Sequence, residues 1–86
     1  MNDYLIICRS ITHAQRTSRA LQRMGIFNQV FRVPAGLVKS GCGYALKVRQ
    51  AYIQQALQTL RQNAIPYQTV FLQDETGYHE VHHDLS

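Results

Sequence analysis

The chain has no long apolar run, only two cysteines and few carboxylates, and these scarcities exclude several classes of protein. The apolar stretch at residues 4–8 is far too short to cross a membrane or to form the core of a signal peptide. Two cysteines without such a signal do not suggest a disulfide scaffold. We therefore expect a cytoplasmic protein with reduced thiols and no membrane partner.

Acidic residues are fewer than basic residues in this chain. Five Asp and Glu residues stand against nine Lys and Arg residues, for a net charge of +4 among 86 residues. The excess allows an anionic partner but names none. Arg16, Arg19 and Arg23 would form a basic ridge if their segment is helical, and a solvated helix face is the simpler interpretation of that spacing.

Sequence signals for strands and for helices alternate along the chain. Apolar and β-branched runs predict strands, and apolar residues at helical spacing predict helices. The predicted strands cover residues 4–8, 30–33, 44–48 and 67–72, and the predicted helices cover residues 12–24 and 50–63. We expect residues 1–73 to form one βαββαβ domain and residues 74–86 to be a polar, mobile tail.

This element order predicts the fold class. Two βαβ units with right-handed crossovers form an α+β, ferredoxin-like two-layer sandwich, with both helices on one face and an antiparallel sheet of order 4-1-3-2. Strands one and three are then antiparallel neighbours. We therefore expect Cys8, Arg9 and the start of helix one to lie near Cys42.

Cys42 stands between Gly41 and Gly43 in the stretch SGCG, just before strand three. Flanking glycines would leave a thiol open to a partner, and the backbone N–H groups of a helix start near Ser10 and Thr12 would lower its pKa and stabilise its anion. A structural role is the competing interpretation, since Gly-Cys-Gly also suits a tight turn or a bulge with a small buried side chain.

Cys8 and His13 are further candidates for thiol chemistry. Cys8 ends an apolar run, which favours packing in the core over a role as a resolving thiol for Cys42. His13 in the first turn of helix one would be a base for Cys42 only if the two lie together, and no third group is indicated. We expect a carrier or binding protein rather than an enzyme, without a cofactor.

Four short motifs occur together in order along residues 4–72. They are SITHA at residues 10–14, Gly-Ile at 25–26, Val-Pro at 33–34 and SGCG at 40–43. This combination resembles the Se/S carrier protein-like family of small bacterial domains. The resemblance implies a cytoplasmic carrier that holds sulfur or selenium as a persulfide or perselenide on Cys42, with a donor and an acceptor protein as partners. Ala35 departs from the family's basic residue after Val-Pro, so no anion contact is expected there.

An RNA-binding domain would have the same element order. Its third strand carries a basic-Gly-aromatic-Gly-aromatic motif whose rings stack on bases. Here Ser40 replaces the cation, Cys42 replaces the first ring and Lys47 replaces the last, so only Tyr44 is left as a platform. Nucleic-acid binding is therefore not expected.

A metal-binding domain and a nonenzymatic interaction module are also compatible with the sequence. His79, His82 and His83 occur with carboxylates in the predicted tail, which makes them weak candidate metal ligands. Terminal histidines are more often solvated, so we expect no metal site. A homodimer through a sheet edge or through the uncovered sheet face stays open.

Overall fold

The computed structural model of the chain describes residues 2–33, 36–37 and 43–81. The described residues form five strands: β1 (Asp3–Cys8), β2 (Gln29–Arg32), β3 (Tyr44–Arg49), β4 (Thr69–Asp74) and β5 (Gly77–Val81). They also form two α-helices, α1 (Ile11–Arg23) and α2 (Ile53–Gln62), the second preceded by a 3₁₀ turn at Gln50–Tyr52. No helix in these residues is both long and apolar enough to span a membrane.

The sheet is antiparallel and has the order β2-β3-β1-β4-β5. The predicted α+β class is confirmed, and the first four strands follow the predicted neighbours. The prediction of a four-stranded ferredoxin-like sheet is nevertheless incomplete, because β5 lies beside β4 at the edge. Five register pairs, from Asp74↔Gly77 to Val70↔Val81, join these two strands.

The prediction of a polar tail from residue 74 is wrong for residues 77–81, which form β5. Asp74 makes the turn, since its carboxylate accepts hydrogen bonds from the backbone N–H (2.8 Å) and the hydroxyl (2.6 Å) of Thr76. The strand itself is mostly exposed and polar. An edge strand is held largely by backbone hydrogen bonds, so it needs no apolar alternation to form.

The central strand β1 is buried on both faces, as its continuous apolar sequence predicts. Tyr4, Ile6 and Cys8 belong to the larger core cluster, to which both helices contribute. Leu5 and Ile7 point to the opposite face and belong to a smaller cluster with Ala45 and Phe71. Partly buried residues packed against this second cluster include Val33 and Leu37, so the connection between β2 and β3 helps to cover the face without helices.

The helix boundaries follow local signals. Ser10 caps α1, and Gly25 ends it in the left-handed region at φ 74°. The N–H of Ile26 then donates to the carbonyl of Leu21 at 3.0 Å, which closes the helix. This agrees with the predicted helix over residues 12–24 to within one residue at each end.

Candidate functional site

Cys42, the predicted carrier of cargo, lies outside the described residues, as do Ser40 and Gly41. The described part of the predicted site consists of Gly43 and the carboxyl end of β1 with the first turn of α1.

The predicted adjacency of β1 and β3 is confirmed. Cys8 pairs with Tyr44 in the antiparallel register, which places the end of β1 beside the start of β3. Gly43 is buried there, and its carbonyl accepts a hydrogen bond from the N–H of Val33 at 3.2 Å. The residue that follows Cys42 in the chain therefore lies between β1 and the residue that follows β2.

Gly43 fits this place because the backbone of β1 comes close to it. A Cβ atom on Gly43 would lie 3.2 Å from the carbonyl oxygen of Cys8 and 3.6 Å from a methyl group of Val33. Its backbone is not in the left-handed region. The sequence suggested that Gly43 gives access to the thiol, whereas the geometry shows a second requirement, close packing between strands.

Gly43→Val should therefore lower the free energy of unfolding by about 1–3 kcal/mol, because the branched side chain must displace backbone atoms of β1. Gly43→Ala should have an effect of less than about 1 kcal/mol, since the loss of freedom in the unfolded chain offsets a milder contact. Urea unfolding of both variants measures this. If the Val variant is as stable as the unmodified protein, the backbone of β1 at Cys8 can move away from residue 43 at little cost in free energy.

Ser10 holds the start of α1. Its hydroxyl accepts a hydrogen bond from the N–H of His13 at 3.3 Å and lies 2.9 Å from Nδ1 of the same residue. Its carbonyl accepts the bond from the N–H of Ala14 at 3.0 Å. The hydroxyl is thus engaged within the first turn, whereas the Thr12 side chain is exposed. The N–H groups of Ile11 and Thr12 precede the first intrahelical donor.

A cleft of about 190 Å³ opens on the other side of β1, between the start of α1 and the segment that leads into β4. Arg9 and His13 line it from one side, and Pro66, Tyr67 and Gln68 line it from the other. The N–H of Gln68 donates to the carbonyl of Ile7 at 2.8 Å and fixes this segment to β1. The sequence pattern did not single out these last three residues, although Pro66 marked the break before the last predicted strand.

Cys8 is a core residue, as predicted. Its side chain is 0% exposed, and Sγ lies 3.8 Å from the hydroxyl of Thr17 and 4.0 Å from the carbonyl of Ile6. Burial raises the pKa of the Cys8 thiol above its ordinary value, and the contact with Thr17 offsets only part of that rise. Cys8 is therefore a protonated thiol at neutral pH.

Tyr44 does not offer the base-stacking surface of an RNA-binding sheet. It packs partly buried against the larger cluster on the helix side. Its position in the strand alternates with Ala45, which belongs to the cluster on the opposite face. The guanidinium of Arg32 lies 6.0 Å from the centre of the Tyr44 ring. The one aromatic residue that supported RNA binding thus faces the wrong side of the sheet.

Of the three histidines considered as metal ligands, His79 lies on β5, and His82 and His83 lie outside the described residues. Nε2 of His79 is 3.2 Å from a carboxylate oxygen of Asp74. The hydroxyl and N–H of Thr76, and to a smaller extent His79, lower the pKa of Asp74. In the part of the chain that is described, no three side chains of His, Cys, Asp or Glu are grouped as a metal site.

Comparison with known proteins identifies the family of this chain and a solved structure with a similar fold. The family model "Putative Se/S carrier protein-like" matches residues 3–72. No curated protein matches the chain. Its fold is similar to the crystal structure of the regulatory subunit of aspartate kinase from Thermus flavus, with a TM-score of 0.50 and 24% sequence identity. That similarity covers 83% of this chain and 48% of the subunit, so the chain spans about half the subunit's length. At this identity the likeness concerns the fold alone.

Proposed function

The chain belongs to the Se/S carrier protein-like family, and we propose that it holds sulfur or selenium on a cysteine and passes it between proteins. The match over residues 3–72 includes both cysteines. We propose Cys42 as the thiol that carries the cargo.

The burial of Cys8 is the observation that carries this choice. A carrier thiol attacks as the thiolate, and donor and acceptor proteins must both reach it. Cys8 is 0% exposed, and burial raises its pKa, so it meets neither condition. Since the chain has two cysteines, the role falls to Cys42.

The proposed transfer is a thiol exchange. The Cys42 thiolate attacks the outer sulfur of a persulfide on the donor protein, and a new S–S bond forms at Cys42. The S–S bond of the donor breaks, and its electron pair leaves with the donor thiolate. Unloading is the same exchange with an acceptor thiolate, so neither step needs an added oxidant or reductant. Selenium would take the place of the outer sulfur.

The described surroundings support an anion at this corner of the fold. Gly43 fixes the start of β3 beside the end of β1. The helix α1 begins three residues after Cys8, and a helix start favours negative charge near its N–H groups. We propose that Ser10 acts by ordering the first turn of α1, and that Thr12 contributes its backbone N–H. Gly41 would keep the thiol accessible.

Incubation with a cysteine desulfurase and cysteine tests the proposal. Mass spectrometry should find one added sulfur atom on the peptide that contains Cys42, and a reducing agent should remove it. Cys42→Ser should abolish the added mass, whereas Cys8→Ala should retain it. If the Cys42→Ser protein is loaded as well as the unmodified one, or if the unmodified protein gains no sulfur, the proposal is wrong.

A further inference from the structure

The charges of this chain are separated along the sequence. All nine lysine and arginine residues lie within residues 4–73, and that stretch contains no aspartate or glutamate. The helices α1 and α2 therefore carry arginines and no carboxylate. An ordinary solvated surface mixes both signs, so this separation suggests that the positive charge has a partner outside the domain.

Three of these arginines share one groove, which we call the arginine groove. Arg16, Arg19 and Arg23 are exposed on α1, and with Ala20 they line one side of a groove of about 220 Å³. The other side is lined by residues that follow α2, Asn63 and Ile65. Seven helical positions separate the outer two arginines, which corresponds to roughly 10.5 Å along the helix axis.

No acceptor within the described residues is engaged by these guanidinium groups. The contact between a basic and an acidic side chain that is found there joins His79 and Asp74. Two carbonyl oxygens near the end of α2 already accept hydrogen bonds from other groups: that of Thr59 accepts from the side chain of Asn63 at 2.8 Å, and that of Leu60 accepts from the N–H of Ile65 at 2.9 Å. Like charges three and four positions apart also repel each other on a helix. An external anion would relieve this repulsion.

We propose that the arginine groove binds a phosphate-bearing ligand with two or more phosphate groups. Guanidinium groups bind phosphate oxygens in a bidentate manner, and three of them along the groove suit several phosphates better than one carboxylate. None of the described lining residues is aromatic, so the groove has no surface for stacking a base. The ligand is therefore recognised by its phosphates, which belong either to a small molecule or to an RNA backbone.

Pyrophosphate and a short single-stranded RNA are the two probes, and NMR of the ¹⁵N-labelled protein is the readout. Pyrophosphate should shift the side-chain Nε–H signals of Arg16, Arg19 and Arg23 and leave that of Arg49 in place. The carrier thiol is not needed for this, so Cys42→Ser protein should respond equally. Pyrophosphate binding and sulfur loading can therefore succeed or fail independently of each other.

Arg19→Glu is the test variant. It places a carboxylate three positions after Arg16 and four before Arg23, so it should preserve or raise the melting temperature while weakening pyrophosphate binding by about tenfold or more. Arg61→Glu is the matched control, because it makes the same charge change on α2 outside the groove, and it should alter binding by less than about twofold.

Every outcome of these experiments either supports or contradicts the binding of phosphate in the arginine groove. Binding of pyrophosphate indicates a small phosphorylated ligand, and RNA binding that shifts the same arginine signals and weakens with salt indicates the backbone as the source. Equal losses in Arg19→Glu and Arg61→Glu, or no shift with either probe, would overturn the proposal. A polyglutamate peptide that binds as tightly as pyrophosphate would also overturn it, in favour of an acidic protein surface.

Discussion

In the native protein, Cys8 should react with iodoacetamide about a thousandfold more slowly than a free cysteine, whereas Cys42 should react readily. Cys8 is fully buried in the larger core cluster, so the reagent reaches it only when the fold opens. For a domain at the low end of ordinary stability, roughly 5 kcal/mol, the open state has a population of about one in several thousand. Peptide mass spectrometry at successive times measures the two rates separately.

Burial slows Cys8 in a second way. Its raised pKa keeps the thiol protonated, and the thiol is far less reactive than the thiolate. In concentrated urea, both cysteines should react at similar rates, which provides the control. Equal rates in the native protein would mean that Cys8 is as accessible as Cys42, which would contradict the assignment of the cargo to Cys42.

Removal of β5 should lower the free energy of unfolding by roughly 1–5 kcal/mol, since five cross-strand pairs are lost at about 0.2–1 kcal/mol each. Two side chains of β5 also make contacts with the rest of the fold. Val81 packs against the larger core cluster, and the Thr69 hydroxyl donates to the Glu80 carboxylate at 2.9 Å. The strand lies outside the region of the family match, which ends at residue 72.

The measurement compares a chain that ends at residue 74 with a chain that ends at residue 81, by urea unfolding of both. Their difference reports β5 together with its turn, because each lacks residues 82–86. The shorter chain should also aggregate more readily, since β4 becomes an unpaired edge. Identical midpoints would mean that residues 77–81 behave as the polar tail that the sequence suggested.

The neighbourhood of Cys42 was predicted in part. The order of the first four strands implied that the end of β1 lies beside the start of β3, and the pair Cys8↔Tyr44 confirms it. The close approach of the Cys8 carbonyl to Gly43 was not predicted, because a distance between two backbones has no signature in either segment. The roles of Cys42 and Gly41 stay predictions, as both residues lie outside the described part of the chain.

The sequence by itself determined the features that depend on near neighbours: the extent of α1 to within one residue at each end, the buried strand β1, and the motifs of the Se/S carrier protein-like family. The tertiary structure alone decided three further features. The strand β5 is held by backbone pairing with β4. Its polar side chains show no alternation of apolar and polar residues, so the sequence did not predict a strand there. Tyr44 faces the helices, and the arginine groove requires the end of α2 beside α1. These features depend on contacts between segments far apart in the chain, and side-chain periodicity within one segment carries no information about such contacts.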